Sequence, residues 1–290
     1  MIFVTGASGF IGRELVKKLY NEREDVTVLL KKQDQSLRVN KVIGDLSDKK
    51  LLERMLKGAD VVVHLAALVN SADRKKMYES NVIGTKNLLE TARKNKVKRF
   101  IFFSSAVVTS KISGIYSDSK IEGERLVRKS GLNYTIIRPS LIYGRTDNKN
   151  FGGMINLIKK CPVVPIIGTG KAKTQPVYIG DVVDATYKII KSKKANNSEY
   201  FIAGPSTLTM NEMVDMVTKN LSLRRVKLHI PIWMMRFVVF FYERINKKSV
   251  IVSEQIKRMN EDKVYGISNA KRDFGYNPVS FKQGLNIFLK

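Results

Sequence analysis

The fold follows from residues 1–12, which read MIFVTGASGFIG. Ile2–Thr5 is an apolar run typical of a buried β-strand, and a glycine-rich turn follows it directly. In such a turn Gly6 permits the tight reversal, Gly9 lets the backbone approach a pyrophosphate, and Gly12 allows the next helix to pack closely on the strand. Free N–H groups and the dipole at the start of that helix favour the negative charge of a pyrophosphate. These residues therefore predict a dinucleotide-binding strand–turn–helix unit.

Strands and helices alternate through the first two thirds of the chain. Apolar runs predict further strands at Val26–Leu30, Lys41–Ile43, Val61–Leu65, Phe100–Phe103 and Tyr134–Arg138. Helical spacing predicts helices at Gly9–Tyr20, Asn81–Lys94 and Tyr116–Lys129. This alternation is the pattern of a parallel sheet covered on both faces. We therefore predict an α/β protein with a doubly wound parallel-sheet Rossmann fold.

The pattern changes beyond Tyr143, where glycines and prolines separate shorter segments. Strands are predicted at Val177–Ile179 and Tyr200–Ile202, and helices at 182–191 and 209–220. We predict that residues 1–145 with 175–204 form the dinucleotide-binding Rossmann domain. Residues 146–174 with 205–290 are then a smaller, C-terminal substrate-binding cap.

The chain is strongly basic, with 52 lysines and arginines against 26 aspartates and glutamates and a formal net charge of +26. Such an excess attracts anions, including nucleic acid and anionic lipid. The basic residues are spread along the chain and form neither a long tract nor an aromatic-interleaved RNA motif, so a nucleic-acid partner is not expected. A solvated, lysine-rich surface and peripheral contact with an anionic membrane both stay open.

Cysteine and histidine are scarce. Cys161 is the single cysteine, which excludes an intrachain disulfide and fits a reducing compartment. His64 and His229 are the two histidines, and no Cys/His cluster accompanies them, so no metal site is expected. The strand-like start leaves no room for a signal peptide, and we expect a cytoplasmic protein.

The most hydrophobic stretch is Ile230–Tyr242, which reads IPIWMMRFVVFFY. It is too short to cross a bilayer, since a spanning helix needs about 20 apolar residues. It can be a helix that packs the cap, or an interfacial membrane helix assisted by Arg244, Lys247 and Lys248. The sequence leaves both open.

Further short motifs follow the glycine turn in a fixed order. They are GDL at 44–46, HLAA at 64–67, NVIGT at 81–85, SSA at 104–106, YSDSK at 116–120, RPS at 138–140, YG at 143–144, QPVYIGDV at 175–182 and GYNP at 275–278. With these motifs the chain resembles the extended branch of the short-chain dehydrogenase/reductase superfamily, the NAD-dependent epimerase/dehydratase family. The resemblance spans nearly the whole chain. It implies NAD(P) binding and hydride-transfer chemistry on a nucleotide-linked sugar.

Three side chains are predicted to carry the chemistry. Tyr116 and Lys120 are four residues apart on a predicted helix, so both emerge on one face. An adjacent ammonium stabilises a phenolate, and we therefore expect Lys120 to lower the pKa of Tyr116. Ser105 ends a neighbouring strand and can hold the substrate oxygen beside Tyr116. The resemblance implies that Lys120 also binds the nicotinamide ribose, while Tyr116 exchanges a proton with the substrate.

The choice of cofactor depends on the end of the second strand. An acidic residue there would bind the adenine ribose of NAD, whereas this chain has Lys31 and Lys32, with Arg13 after the glycine turn. Basic side chains suit a 2′-phosphate, so NADP(H) is favoured over NAD(H), unless these lysines do not contact the ribose. The residues predicted to contact the cofactor are Gly6, Ser8, Gly9, Phe10, Ile11, Gly12, Arg13, Lys31, Lys32, Asp45, Leu46, Leu65, Ala66, Ala67, Asn81, Tyr116, Lys120 and Pro139.

The substrate-binding region departs from the family pattern, because an arginine that binds the diphosphate in sugar epimerases is replaced here by Thr174 and Gln175. Lys171 and Lys173 lie nearby but lack the bidentate geometry of arginine. A nucleotide sugar that undergoes 4-epimerisation or 4-keto reduction is the first hypothesis. A 4,6-dehydratase is disfavoured, since no Asp or Glu adjoins Ser105 in the sequence.

Two other functions stay open: dehydrogenation or reduction of an apolar hydroxyl compound, sterol- or isoprenoid-like, and a non-catalytic NAD(P)-binding subunit. The resemblance also implies a homodimer that pairs through the helices at 81–94 and 116–129.

Overall fold

The computed structural model describes residues 1–69, 71–145, 151–245, 256 and 258–289, and of residues 240–245 it describes the backbone alone. The strands are β1 Ile2–Thr5, β2 Val26–Leu30, β3 Asn40–Ile43, β4 Val61–His64, β5 Arg99–Phe103, β6 Tyr134–Pro139, β7 Ile142–Tyr143, β8 Val163–Ile167, β9 Lys173–Thr174, β10 Val177–Tyr178, β11 Ser198–Ile202, β12 Leu208–Thr209 and β13 Val226–Ile230. The helices are α1 Phe10–Asn21, α2 Lys49–Met55, α3 Arg74–Tyr78, α4 Gly84–Lys94, α5 Ile115–Arg128, α6 Phe151–Lys160, α7 Ile179–Lys191, α8 Met210–Asn220, α9 Ile232–Ile245, α10 Ser268–Phe274 and α11 Phe281–Leu289.

Seven strands form one parallel sheet in the order β11-β6-β5-β4-β1-β2-β3. Val4 of β1, for example, lies opposite Val28 of β2 and Val63 of β4. The strand order reverses between β1 and β4, and ligands of open α/β sheets bind beyond the carboxyl ends of the strands at such a point. The predicted doubly wound Rossmann fold is confirmed.

Helices cover both faces of this sheet, which explains why its central strands are mostly apolar. On one face, α1 and α7 contribute Leu15 and Val182 to a continuous core. On the other face, α2, α4 and α5 contribute Leu52, Leu88 and Val127. The sheet is therefore buried between two helical layers, and its carboxyl edge is left to form a site.

A third core lies beside the sheet, around Tyr143. It joins Phe151 of α6, Val214 of α8 and Phe281 of α11, and the Tyr143 and Phe281 ring centroids are 4.9 Å apart. Three two-stranded pairs, β7 with β10, β8 with β13 and β9 with β12, accompany it. Tyr143 lies within the predicted Rossmann range, so this core crosses the predicted boundary at 145. The division into 1–145 with 175–204 and 146–174 with 205–290 stays a prediction.

Two predicted helices differ in detail from the observed ones. The helix expected at Asn81–Lys94 begins as a π-helical turn, Glu79–Ile83, before it continues as α4. The stretch Ile230–Tyr242 is divided at Pro231, which ends β13 and leads into α9, because proline suits the start of a helix. Within the described residues, no helix combines the length and apolar character needed to cross a bilayer. Lys247 and Lys248 lie outside the described residues.

Candidate active site

The turn between β1 and α1 brings backbone closer to backbone than any side chain would allow. Gly6 has a φ of +75°, and a Cβ there would lie 2.5 Å from the backbone nitrogen of Ala66. A Cβ on Gly12 would lie 2.2 Å from the Gly6 carbonyl oxygen. Gly9 caps α1 without any side-chain hydrogen bond, so the N–H groups of its first turn are open to an anion. This cradle fits the pyrophosphate of a dinucleotide.

A buried histidine supports the turn from below. His64 Nδ1 lies 2.6 Å from the Thr5 hydroxyl, and His64 Nε2 lies 2.9 Å from the Thr85 hydroxyl. Burial, and then the nearby charge of Lys120, lower the pKa of His64 to about 3. The imidazole is therefore neutral at physiological pH and ties β1 to α4 instead of transferring protons.

Asn81 connects the segment after β4 to α5. Its amide donates to the Leu68 carbonyl at 2.9 Å and to the Ser119 hydroxyl at 3.0 Å, while its side-chain oxygen accepts from the Leu68 N–H at 2.7 Å. This segment contains three of the residues predicted to contact the cofactor, Leu65, Ala66 and Ala67. Leu65 donates to the Thr5 carbonyl at 3.1 Å, so the segment lies against the glycine turn.

The three predicted catalytic side chains come together at the carboxyl end of β5. Ser105 precedes a short 3₁₀ helix, Ala106–Thr109, and its side chain lies close enough to Tyr116, the second residue of α5, to lower the pKa of that phenol. Lys120 lies one helical turn further on and is buried, with Nζ 4.4 Å from the centroid of the Phe102 ring. The end of β5 and one face of α5 thus bring a hydroxyl, a phenol and an amine into one cluster.

The expectation that Lys120 lowers the pKa of Tyr116 is wrong for the protein alone. Burial raises the pKa of Tyr116 to about 12, and the polar side chain of Ser105 offsets this only in part. Burial also lowers the pKa of Lys120 to about 7, against the opposing effect of the Glu124 carboxylate. Removal from water penalises the charged form of each group and is the largest cause of both shifts.

An ion-pair cluster holds α5 against the sheet. The buried Glu124 carboxylate accepts from Arg138 Nε at 2.8 Å and from Arg128 Nη2 at 2.6 Å. Burial alone would raise the pKa of Glu124, but the hydrogen bond and charge of Arg138 bring it below its ordinary value. Glu124 therefore stays ionised one turn below Lys120 and fixes the helix that carries Tyr116.

The residues predicted to contact the adenosine half of the cofactor include both positive and negative side chains. Arg13 pairs with Asp34 at 2.6 Å, and Lys31 pairs with Asp45 at 2.8 Å. Lys32 is exposed beside them. Asp34 lies in the loop after β2, beyond the strand end where the sequence showed only lysines. Two of the three cations predicted to meet a 2′-phosphate, Arg13 and Lys31, thus already have carboxylate partners.

Other predicted cofactor contacts are spread around this edge of the sheet. Ser8, Phe10 and Ile11 belong to the glycine turn and the start of α1, Leu46 is buried after β3, and Pro139 ends β6.

Sequence reasoning missed a segment that crosses the active-site loop. We call residues 258–265 the strap. Buried Arg258 donates through Nε to the Ile112 carbonyl at 2.9 Å and through Nη2 to the Ser117 hydroxyl at 3.0 Å. Glu261 accepts from the Ser110 hydroxyl at 2.6 Å. The strap therefore braces the loop between Ser105 and Tyr116, and it brings a carboxylate to this loop that sequence adjacency could not reveal.

The strap carries no apolar alternation in its sequence, RMNEDKVY, that would have marked it. Its Lys263 is half-buried, and burial lowers the pKa of that side chain.

The side chain at the position of the missing arginine is already engaged. Gln175 donates to the Gly204 carbonyl at 2.7 Å and accepts from the Tyr265 N–H at 2.8 Å. It therefore connects the segment after β11 to the strap. Lys171 instead lines a cavity of about 640 Å³ in the predicted cap. Other lining residues are Gly168, Asn211, His229, Pro231 and Ile232.

Comparison with known proteins extends these observations. Residues 2–204 match the family described as NAD dependent epimerase/dehydratase family. The UDP-glucose 4-epimerase of Vibrio cholerae is 29% identical over 324 residues, covering 100% of this chain and 95% of that protein. A ceramide reductase of Caulobacter vibrioides is 32% identical over 195 residues, covering 66% of this chain and 60% of that protein.

A solved structure shares the fold. UDP-glucuronic acid 4-epimerase from Bacillus cereus, in complex with UDP-glucuronic acid and NAD, matches with a TM-score of 0.80 at 24% identity, covering 99% of this chain and 97% of that chain. The family match covers well over half of the chain, and the predicted resemblance and enzymatic nature are confirmed. The chain therefore belongs to the NAD-dependent epimerase/dehydratase family and is an enzyme of the short-chain dehydrogenase/reductase type.

Proposed function

We propose that this enzyme uses NAD(P) to oxidise or reduce a carbon of a nucleotide sugar, in a 4-epimerisation or a 4-keto reduction. The observation that carries the proposal is the cluster of Ser105, Tyr116 and Lys120 at the carboxyl edge of the sheet, near the strand-order reversal beside the glycine turn. The names of the Vibrio cholerae and Bacillus cereus relatives support a nucleotide sugar.

Tyr116 is the proton-transferring group in this proposal. In the oxidative direction the substrate hydroxyl loses its proton to the Tyr116 oxygen, the carbon loses a hydride, and a ketone forms; reduction reverses each transfer. Ser105 donates a hydrogen bond to the substrate oxygen. Lys120 donates a hydrogen bond to the ribose, and its ammonium form stabilises the Tyr116 phenolate. The nicotinamide, when bound, supplies the hydride acceptor or donor and, when oxidised, a positive charge that favours the phenolate.

For the cofactor we propose NADP(H) over NAD(H), held by the predicted set that runs from the glycine turn to Pro139. Arg13, Lys31 and Lys32 surround the expected position of a 2′-phosphate. In the structure, Arg13 is paired with Asp34 and Lys31 with Asp45. A 2′-phosphate would have to compete with these carboxylates, whereas a free ribose hydroxyl could use Asp34 as an acceptor.

We also propose a cytoplasmic homodimer that pairs through α4 and α5. Three large apolar side chains next to or on these helices are exposed, Tyr78 at 50%, Ile83 at 38% and Ile121 at 48%. Apolar side chains in such positions are typical of a surface that another subunit covers.

A second substrate class has an observation of its own. Gln175 is fully engaged within the protein, so the diphosphate-gripping position is structural here. The cavity in the cap is lined in part by Pro231 and Ile232, which suit an apolar compound. The ceramide reductase relative supports a hydroxyl or keto lipid as the alternative substrate.

Calorimetric titration tests the proposal. NADPH and NADH are titrated first, followed by UDP-glucose, UDP-glucuronic acid and a sterol added to each binary complex. We expect tighter NADPH binding and a second binding event with a UDP-sugar. A second binding event with the sterol and with neither UDP-sugar would favour an apolar hydroxyl compound as the substrate. Tighter binding of NADH than of NADPH would overturn the proposed cofactor preference.

Tyr116→Phe separates chemistry from binding. It should lower turnover of the identified substrate about 10²- to 10⁴-fold, because it removes the proton-transferring group, and should leave cofactor affinity within about twofold. Unchanged turnover in this variant would remove Tyr116 from the mechanism. Tyr187→Phe, which removes a half-buried tyrosine hydroxyl on α7 that donates to Glu24 at 3.2 Å, far along the chain from the cluster, is the control.

A further inference from the structure

We propose that an exposed apolar face of α9 docks the enzyme on the surface of an anionic lipid membrane. Four side chains form this α9 docking face: Trp233 is 70% exposed, Met234 41%, Phe237 65% and Val238 56%. Surface helices of globular proteins normally turn such residues inward.

The four residues form one stripe along the helix. Trp233 and Phe237, and likewise Met234 and Val238, are one turn apart, and at 3.6 residues per turn the set spans an arc of about 140°. The opposite side anchors α9 to the protein, because Val239 is 3% exposed and Ile232 is partly buried at the cavity. The helix therefore lies on the surface with one apolar side held and the other presented outward.

The charge of the protein selects the partner. The chain carries a net charge of +26, and Arg236 is exposed at the edge of the α9 docking face. Arg224, just before β13, and Lys159 and Lys160, at the end of α6, are also exposed. Arg225 bonds the carbonyls of Ile158 and Lys159, so the end of α6 and the start of β13 form one basic region, at the end of the parallel β8–β13 pair opposite to the end that leads into α9. Anionic headgroups attract such a surface, whereas a second copy of this chain would bring like charge to it.

The residue types also suit the membrane interface. Tryptophan is enriched at the headgroup level, where its ring meets acyl chains and its N–H meets water. Arginine can place its alkyl stem along apolar surface while the guanidinium stays hydrated. Because no described helix can span a bilayer, α9 would lie in the plane of the interface. The cavity residue Ile232 directly precedes Trp233, so docking brings the cap cavity close to the lipid surface.

Trp233 is the only tryptophan of the chain, and its fluorescence reports on this face without any label. The protein is mixed with vesicles of phosphatidylcholine alone, or with vesicles in which about one third of the lipid is anionic phosphatidylglycerol. We expect a blue-shifted emission and co-sedimentation with the anionic vesicles, both reversed by high salt. Absence of a shift with anionic vesicles, or sedimentation without a shift, would overturn the proposal.

Matched substitutions locate the contact. Phe237→Asp keeps the reporter and should weaken vesicle binding at least tenfold, because it places a carboxylate in the α9 docking face. Ile43→Asp makes the same change at a 47% exposed site on β3 and should bind like the parent protein. Unchanged NADPH affinity shows that both variants are folded. Equal binding by the two variants, or a concentration-dependent blue shift in the absence of vesicles, would contradict a membrane-docking face.

Discussion

The glycine turn at residues 6–12 and the strap at 258–265 both shape the candidate active site, but they do so over very different sequence distances. The turn acts mainly on itself, since Gly9 donates to the Gly6 carbonyl at 3.0 Å and Gly12 packs on that same carbonyl. Arg258 instead reaches Ile112 across 146 residues, and Glu261 reaches Ser110 across 151. A site element that depends on local backbone geometry is visible in residue type, whereas one assembled by distant hydrogen bonds is not.

The strongest test of the turn is Gly6→Ala, with Gly131→Ala as its match. Both glycines have positive φ, +75° and +73°, but a Cβ at Gly131 meets nothing within 4 Å. The left-handed backbone costs each variant about 1–2 kcal/mol, and crowding against Ala66 should add about 1–3 kcal/mol at Gly6 alone. Urea denaturation measures both. NADPH affinity should fall more than tenfold only in Gly6→Ala, and equal losses in the two variants would show that the cradle plays no part.

Arg258→Ala tests the strap in the same terms. It should lower the free energy of unfolding by about 2–3 kcal/mol, because the Ile112 carbonyl and the Ser117 hydroxyl lose a charged hydrogen-bond donor. Hydrogen exchange should show lost amide protection in residues 106–117. NADPH affinity should stay within about twofold, in contrast to Gly6→Ala.

The control is Arg272→Ala, which removes an exposed arginine paired with its neighbour Asp273. It should change stability by less than about 0.5 kcal/mol. A large loss of cofactor affinity in Arg258→Ala would mean that the turn and the strap are not independent.

His64→Gln tests the support beneath the turn through pH. Unfolded histidine takes up a proton below pH 6.5, whereas burial keeps His64 neutral down to about pH 3, so the parent protein loses stability as pH falls through this window. The slope is about 1.4 kcal/mol per pH unit, or about 2 kcal/mol between pH 6.5 and 5. His64→Gln should lack this loss. His229→Gln, at an exposed histidine, should keep the parent slope, and an identical slope in both variants would refute a neutral buried His64.

The smallest effect is expected at the rim of the turn. Arg13→Ala should weaken NADPH binding by up to about tenfold and NADH binding less, because one charge-assisted contact is lost and the arginine is partly occupied by Asp34. Lys17→Ala, which removes an exposed cation elsewhere on α1, should alter neither. Equal losses for the two cofactors would assign Arg13 a structural role.

Much of the fold was open to prediction because burial on both faces of a parallel sheet requires apolar runs. Val61–His64 and Phe100–Phe103 were recognisable for this reason, and Tyr116 and Lys120 shared a face because helical spacing dictates it. The short helix α2 was missed, and so were α6 and α11 in the predicted cap. Their apolar residues pack against partners far along the chain, and periodicity over so few residues is weak.

The residue types of this chain sufficed to predict the Rossmann unit and the glycine turn and to propose Tyr116 as the proton-transferring group, because each depends on backbone sterics or on short spacings. The protonation of that group did not follow in the same way. Tyr116 has its pKa raised to about 12 because neighbours from β5, α5 and the loop together exclude water, and exclusion of water is a property of the assembled core. The pairing of Arg13 with Asp34, the bracing of the loop by the strap and the outward face of α9 likewise arise only when distant segments pack.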